Sequence, residues 1–193
     1  MSKRLGILGG TFDPVHKGHV TIAKAFLDSG FIDELWVMPA PDPPHKREQD
    51  VTSFDIRQKL LKIAFEGIHH IYISSFEKDL DKPSYTLRTI RALKKQYPDD
   101  QFILCLGSDS ILHIDSWFHA DELIKETIFL VAYRPGFNPE ELPERIRNKC
   151  HFVEHSPINV SSTELKKKLK AHRPTPMIPK AVSEEINKLS LYQ

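Results

Sequence analysis

The sequence predicts an α/β protein in which helices cover both faces of a doubly wound parallel sheet of five to six strands. Short runs rich in Ile, Val, Leu and Phe alternate with longer segments whose apolar residues recur at helical spacing. The chain has 193 residues, 40% hydrophobic and 27% charged, as is typical of one globular core. A polar or glycine-rich feature follows every predicted strand, where such sheets bind ligands. We therefore expect a single domain spanning 1–193.

The elements are expected in a regular order. Strands are predicted at LGILGG, ELWVMP, IYISSF, FILCLGSD and IFLVAYRPG, with a last short strand opening HFVEHSPINVSSTELKKKLKAH. Helices are predicted in HVTIAKAFLDSG, SFDIRQKLLKIAF, SYTLRTIRALKKQYP and WFHADELIKE, then at the end of HFVEHSPINVSSTELKKKLKAH and in PKAVSEEINKL. Gly30 is expected to end the first helix and Ser53 to cap the second. The proline-rich stretch PAPDPPHKREQDVTS predicts an exposed loop.

Composition narrows the classes of partner. No apolar run approaches the roughly 20 residues that span a bilayer, and the short apolar part of MSKRLGILGG indicates a strand rather than a signal peptide. A formal net charge of +1 predicts neither a nucleic acid nor a membrane as partner. Cys105 and Cys150 offer no framework of disulfides, so we expect a reducing, cytoplasmic location. The oligomeric state stays open, a homodimer included.

The most informative stretch is GGTFDPVHKGH, where a strand gives way to a helix. It lacks the glycine patterns of dinucleotide-binding folds and P-loops. Gly9 and Gly10 nevertheless let backbone approach a ligand closely, and Pro14 fixes the turn before a helix start that favours phosphate. His16 and His19 share one face of the first turn. They could cap or pack around the helix start, bind a metal, or donate hydrogen bonds to phosphate oxygens.

GGTFDPVHKGH resembles the N-terminal signature of the nucleotidyltransferase superfamily defined by its H-x-G-H motif. More narrowly, the chain resembles bacterial nicotinate-nucleotide adenylyltransferases along nearly its whole length. The matching stretches follow the family's order: GGTFDPVHKGH, MPAPDPPHK, PSYTLRTI, LGSDSILHIDSW, YRPG and VSSTELKKKL. The resemblance implies a Rossmann-like fold, with a small C-terminal helical segment from Ser161 onward that completes the ATP site.

The implied reaction transfers the adenylyl group of ATP to nicotinate mononucleotide, giving nicotinate adenine dinucleotide and pyrophosphate in NAD synthesis. The mononucleotide phosphate would attack the α-phosphorus in line, without a covalent enzyme intermediate. Positioning and charge stabilisation would then supply most of the rate gain. Mg²⁺ is expected as the cofactor, held by substrate phosphates and water rather than by a protein metal site.

The resemblance also implies roles for particular residues. Those expected in catalysis are His16, His19, Lys46 and Lys166. Those expected at ATP are Gly9, Gly10, Thr11, Phe12, His16, His19, Gly107, Asp109, Arg134, Ser161, Ser162 and Thr163. Those expected at the mononucleotide are Thr11, Asp13, Lys46, Tyr85, Thr86 and Trp117, with Trp117 stacking on the pyridine ring.

Most of these residues also have a structural explanation. Lys46 could be solvated, Ser84 or Thr86 could cap a helix, and Trp117 could be ordinary core. Asp109 could cap a turn, Arg134 could pair with a surface carboxylate, and a serine before the lysine-rich helix could simply cap it.

The chain departs from the family pattern at two positions. Lys82 precedes Pro83, where the family usually has glycine, and Lys166 stands where it has arginine. An ammonium cannot grip two oxygens in a fixed fork as a guanidinium does. We expect Lys166, assisted by Lys167, still to neutralise the β and γ phosphates, so unchanged kcat/KM for ATP in Lys166→Ala would rule that out.

Alternative functions stay open at this point. The same chemistry could act on nicotinamide mononucleotide or, with less support, on phosphopantetheine. The chain could also be a nucleotide-binding regulator without catalysis, which the lysine at position 166 favours. All the catalytic hypotheses require the histidine segment and the serine-capped helix near 161 to face one pocket.

Overall fold

The computed structural model describes residues 2–43, 51–133, 136–156 and 158–193. Within them one six-stranded parallel sheet has the order β3-β2-β1-β4-β5-β6. The strands are β1 (Arg4–Gly10), β2 (Glu34–Pro39), β3 (Ile71–Ile73), β4 (Gln101–Gly107), β5 (Ile128–Tyr133) and β6 (Cys150–Glu154). The order reverses between β1 and β4, which confirms the doubly wound prediction and places the expected ligand crevice there.

Eight α-helices are found in the described residues. They are α1 (Lys17–Asp28), α2 (Phe54–Ala64), α3 (Thr86–Gln96), α4 (Ser108–Ile111), α5 (Ala120–Glu126), α6 (Glu144–Arg147), α7 (Ser162–Lys170) and α8 (Lys180–Lys188). Gly30 follows α1 with a φ of +70°, as predicted for a residue that ends a helix. Ser53 precedes α2, but its side chain makes no capping hydrogen bond. The one-turn helices α4 and α6 were not predicted, because a single turn has no measurable period.

Helices cover both faces because inward positions alternate along the strands. Leu8 of β1 and Cys105 of β4 belong to one core cluster, whereas Ile7 and Leu104 belong to another on the opposite face. The first cluster is completed by buried residues of α1, α2, α7 and α8, and the second by those of α3, α5 and α6. Two cores thus hold the sheet between them.

The third strand is shorter than predicted. The run IYISSF predicts six residues, but β3 ends at Ile73 and a 3₁₀ turn covers Phe76–Asp79. The hydroxyl of Ser74 accepts a hydrogen bond from the Phe76 amide at 3.2 Å, a local bond that competes with strand pairing. The turn that results brings Glu77 to the edge where the strands end.

No helix in the described part of the chain is long and apolar enough to cross a bilayer.

Candidate active site

A cavity of about 660 Å³ opens at the carboxyl ends of β1 and β4, where the strand order reverses. Gly9 and Gly10 of β1 form one wall, and Gly107 ends β4 in the wall beside them. A cavity of this size suits a nucleotide-sized ligand. The fold therefore places the candidate site where parallel α/β sheets generally bind ligands.

The structure brings nine of the predicted site residues to this cavity. They are Gly9, Gly10, Thr11, Phe12, His19, Tyr85, Thr86, Gly107 and Trp117. It does not place the others on the wall, namely Asp13, His16, Asp109, Ser161, Ser162, Thr163 and Lys166. Lys46 and Arg134 lie outside the described residues. The wall also contains residues that the sequence did not indicate, among them Glu77, Ser84, Thr89, Ser110 and Phe118.

The two histidines occupy different positions. His16 is the residue before α1, with an extended backbone, and His19 lies in the first turn. Their rings stack with centroids 3.7 Å apart, and His19 alone of the two lines the cavity. The His16 backbone amide donates to Nδ1 of His19 at 3.2 Å. Because Nδ1 is an acceptor, a neutral His19 ring carries its proton on Nε2, where it can act as a donor.

His16 lies behind His19 rather than beside it. It is 5% exposed, and burial lowers its pKa to about 4. Its Nδ1 is buried without a hydrogen-bond partner among the described residues. The imidazole is therefore neutral at physiological pH. The sequence predicted that both rings contact phosphate, but only His19 lies at the cavity wall. The turn before α1 directs the His16 ring into the protein instead.

Asp13 also points away from the cavity. Its carboxylate is 4% exposed and accepts hydrogen bonds from the Thr52 amide at 3.3 Å, the Lys166 ammonium at 2.9 Å and the Tyr192 hydroxyl at 2.7 Å. Burial would raise the pKa of Asp13, but these hydrogen bonds and the charge of Lys166 outweigh it, so the pKa lies below its ordinary value. Asp13 thus joins the histidine segment to the C-terminal helices.

The N-terminus of α7 lies against the same segment. The Ser162 hydroxyl donates to the Pro14 carbonyl at 2.9 Å, and Ser161 caps α7 by accepting from the Glu164 amide at 3.2 Å. A Cβ on Gly18 would come within 3.0 Å of both the His16 ring and Val160. Glycine at this position therefore lets Val160, just before α7, approach the His16 ring. The histidine segment and the serine-capped helix therefore lie against each other, but of the two only the histidine segment reaches the cavity wall.

Arg57 is a buried residue that sequence reasoning missed. Its guanidinium, in a residue 1% exposed, donates to the carbonyls of Thr52 at 2.7 Å, Thr11 at 2.8 Å and Ala40 at 2.9 Å. Thr11 and Ala40 both line the cavity, so this one side chain fixes the segments that follow β1 and β2. The available signal was its position three residues before Leu60, on the buried face of α2.

The other end of the cavity is aromatic. Tyr85 and Phe118 stack with centroids 4.1 Å apart and planes at 10°, and Trp117 lines the wall beside them. Glu77 faces this end and accepts a hydrogen bond from the Thr89 hydroxyl at 2.7 Å. Burial raises the pKa of Glu77 above its ordinary value, against the effect of hydrogen bonds from Thr89 and Ser84. Flat rings and a few polar groups suit an aromatic ligand.

Asp109 and Thr163 are both exposed, and neither faces the cavity. Ser110, one residue further along α4, lines the wall instead. Because α4 is helical, its side chains point in successive directions around the axis, and Ser110 rather than Asp109 faces the cavity. The order of residues in a motif cannot show this rotation.

An α/β sheet of this order, with an imidazole and two glycines at its switch point, defines a nucleotidyltransferase-type site. Comparison with known proteins agrees: residues 7–168 match the cytidylyltransferase-like family. The chain is 35% identical over 192 residues to nicotinate-nucleotide adenylyltransferase of Bacillus subtilis (strain 168), covering 99% of each protein. It is 36% identical over 168 residues to a probable enzyme of the same name from Bacteroides fragilis (strain YCH46), covering 86% of this chain and 82% of that one.

The chain therefore belongs to the nicotinate-nucleotide adenylyltransferases within the cytidylyltransferase-like family. A solved structure with a similar fold is the Plasmodium falciparum nicotinic acid mononucleotide adenylyltransferase complexed with NaAD. It superposes with a TM-score of 0.84 at 24% identity, covering 98% of this chain and 97% of that one.

Proposed function

We propose that the chain transfers the adenylyl group of ATP to nicotinate mononucleotide, forming nicotinate adenine dinucleotide and pyrophosphate in NAD biosynthesis. The single observation that carries this proposal is one cavity that presents an imidazole donor and glycine backbone at one end and stacked aromatic rings at the other. That arrangement fits a polyphosphate next to a flat pyridine ring. The named activity of the relatives gives independent support.

The chemistry requires two anions to meet. A phosphate oxygen of the mononucleotide forms a bond to the α-phosphorus of ATP, and the bond from that phosphorus to the bridging oxygen breaks as pyrophosphate leaves. The protein supplies position and charge stabilisation rather than a covalent partner. His19 is the candidate for the central task, because its Nε2–H can donate to phosphate oxygen as charge develops there.

His16 acts on His19 in this proposal. Its backbone amide sets the His19 tautomer and its ring stacks against the His19 ring, so the donor is held in one orientation. Holding a donor in place before the reaction begins is worth more than a donor that must reorganise. We therefore assign His16 a positioning role.

Lys166 is proposed to serve first as the partner of Asp13. The Lys166 ammonium lies 2.9 Å from an Asp13 carboxylate oxygen, and this contact links α7 to the segment that leads into α1. The helix from Ser161 onward is thus proposed to complete the polyphosphate end by fixing the position of the histidine segment. Direct neutralisation of phosphate by Lys166 requires the ammonium to leave Asp13. Arg134, Asp109, Ser161, Ser162 and Thr163 keep their sequence-based roles at ATP as proposals. Lys46 keeps its sequence-based roles in catalysis and at the mononucleotide, also as a proposal.

Tyr85, Thr86 and Trp117 are proposed to hold the pyridine end, because all three line the aromatic part of the cavity. Thr11, proposed at both ATP and the mononucleotide, lines the same cavity, and Arg57 donates a hydrogen bond to its carbonyl.

Mg²⁺ is the proposed cofactor. Among the described residues, no group of three His, Cys, Asp or Glu side chains could hold a metal ion. The described wall offers the His19 imidazole and the Glu77 carboxyl, which already accepts a hydrogen bond from Thr89, and Mg²⁺ prefers oxygen ligands with several waters. The donor set therefore fits an ion held by substrate phosphates, and such an ion would neutralise phosphate charge. Both thiols, Cys105 and Cys150, are free, which supports the proposal of a reducing, cytoplasmic location.

The decisive experiment incubates the purified protein with ATP, Mg²⁺ and either nicotinate or nicotinamide mononucleotide, and measures pyrophosphate release and the dinucleotide formed. We expect turnover with nicotinate mononucleotide and a lower kcat/KM with the amide. Binding of ATP without pyrophosphate release from either mononucleotide would contradict an enzyme and favour a nucleotide-binding regulator. Comparable kcat/KM values for both would contradict the acid preference.

A further inference from the structure

Arg88 lies in the first turn of α3, next to the aromatic end of the cavity. Its guanidinium carbon is 5.1 Å from the centre of the Tyr85 ring and 5.3 Å from the centre of the Phe118 ring. Both rings line the cavity and stack on each other. The charge of Arg88, an exposed residue, is therefore held at the edge of the stacked pair.

This position is locally unfavourable for a cation. The first turn of a helix favours acidic residues, since the backbone amides there are unpaired and partly positive, and α3 has no acidic residue in that turn. Among the described residues, no carboxylate pairs with the Arg88 guanidinium. Arg91, one turn later, pairs with Glu122 at 2.6 Å and with Glu126 at 2.5 Å. On the same helix, Arg91 is thus paired with two carboxylates, whereas Arg88 contacts two aromatic rings.

Arg88 does not itself line the cavity, and it lies beside two rings that do. Among the described residues that line the cavity, none is Lys or Arg, and the carboxyl of Glu77 faces the aromatic end. An anionic ring at that end would meet the carboxyl group of Glu77 and no cationic side chain of the described wall. A guanidinium at the edge of Tyr85 and Phe118 supplies that charge, and its planar fork suits a carboxylate.

We propose that Arg88 is a specificity-determining residue whose guanidinium favours acceptor mononucleotides with a carboxylate on the ring over those with a neutral amide. The inference rests on the proposed function, because it needs the pyridine ring at Tyr85 and Trp117. The ring carboxylate is remote from the reacting phosphate, so the contact is the same in the ground and transition states. It should lower KM for nicotinate mononucleotide and leave kcat unchanged.

The test compares wild type with Arg88→Gln and Arg88→Lys, measuring kcat and KM for both mononucleotides. We expect the ratio of kcat/KM for the acid to that for the amide to fall about five-fold in Arg88→Gln, the scale of a partly solvated ion pair. The fall should lie in KM for the acid, and Arg88→Lys should recover part of it. The wild-type ratio should also decrease with added salt, and that dependence should weaken in Arg88→Gln.

Lys95→Met is the matched control. It removes one positive charge from the exposed part of the same helix, seven residues and roughly 10 Å further along, and should leave the ratio unchanged. An unchanged ratio in Arg88→Gln, or an equal fall in Lys95→Met, would overturn the assignment of Arg88 while leaving the proposed function standing. A wild type inactive with both mononucleotides would overturn the proposed function and this inference with it.

Discussion

The ammonium of Lys166 lies 2.9 Å from a carboxylate oxygen of Asp13, a residue 153 positions earlier in the chain. The Asp13 side chain is 4% exposed and that of Lys166 19% exposed. The pair therefore holds helix α7 against the segment that precedes α1. Removing Lys166 would leave the buried Asp13 carboxylate without its cationic partner, with only the hydrogen bonds from Thr52 and Tyr192.

We expect Lys166→Met to lower the free energy of unfolding by about 3 kcal/mol, because Asp13 would stay buried and ionised. Asp13→Asn should also destabilise the fold, and the double variant should lose less than the sum of the two single losses. Urea unfolding of the four proteins measures this coupling. Strict additivity would contradict the pairing.

The same variants separate the two tasks considered for Lys166. If its ammonium also binds phosphate, Lys166→Met should raise KM for ATP more than Asp13→Asn does, in protein shown to be folded. If it only anchors α7, both variants should change KM alike. Lys170→Met, at an exposed lysine of the same helix, is the matched control and should change neither stability nor KM.

His19 should be essential for turnover. We expect His19→Ala to fold and bind ATP with little change, while kcat falls at least about 100-fold, the scale of losing one preorganised donor. His19→Gln can place an amide N–H near the Nε2 position, whereas His19→Asn reaches only the Nδ1 position. Steady-state kinetics should therefore rank Gln above Asn. Retained kcat in His19→Ala would remove this residue from the chemistry.

His16 predicts a pH dependence of stability. Its pKa is about 4 in the folded protein and about 6.5 when unfolded, so below pH 6.5 the unfolded state binds a proton that the folded state does not. Stability should be fully present above pH 6.5 and should decrease as the pH falls toward 4, by at most about 3 kcal/mol from this residue.

Urea unfolding at several pH values between 4 and 7 measures that decrease, and His16→Gln should flatten the curve. The lowered pKa of Asp13 places its own contribution below this window, because that carboxylate stays ionised in the folded protein to lower pH than in the unfolded chain. Equal slopes for wild type and His16→Gln would contradict the buried neutral imidazole.

Arg57 should matter for both stability and substrate binding. Arg57→Met would leave the carbonyls of Thr11, Ala40 and Thr52 without their donor, at about 1–3 kcal/mol for each group that water cannot reach. Since Thr11 and Ala40 line the cavity, KM should rise as well. Arg57→Lys has fewer donors and no planar fork, so its stability and its KM should lie between those of wild type and Arg57→Met. Thermal unfolding and substrate kinetics at a temperature where every variant is folded provide the measurement.

The order of strands and helices followed from hydrophobic spacing. The glycines, Thr11, Phe12, His19, Tyr85, Thr86 and Trp117 lie at the cavity because parallel strands bring their carboxyl ends to one edge. Spacing along the chain could not show that the side chains of Asp13 and His16 are buried in the protein rather than exposed at the cavity. Spacing gave no indication of Glu77. It placed Arg57 on the buried face of α2 but could not show the carbonyls that its guanidinium binds, since these belong to distant segments.

By itself, the sequence determined the class of fold, the edge at which ligand binds and the chemistry available there, because these depend on local periodicity and on which residue types follow each strand. The tertiary structure alone decided which imidazole faces the cavity, which lysine is held by Asp13, and that Arg88 lies at the stacked rings of Tyr85 and Phe118. Those outcomes depend on the direction of side chains and on pairings between residues as many as 153 positions apart, which only packing of the whole chain sets.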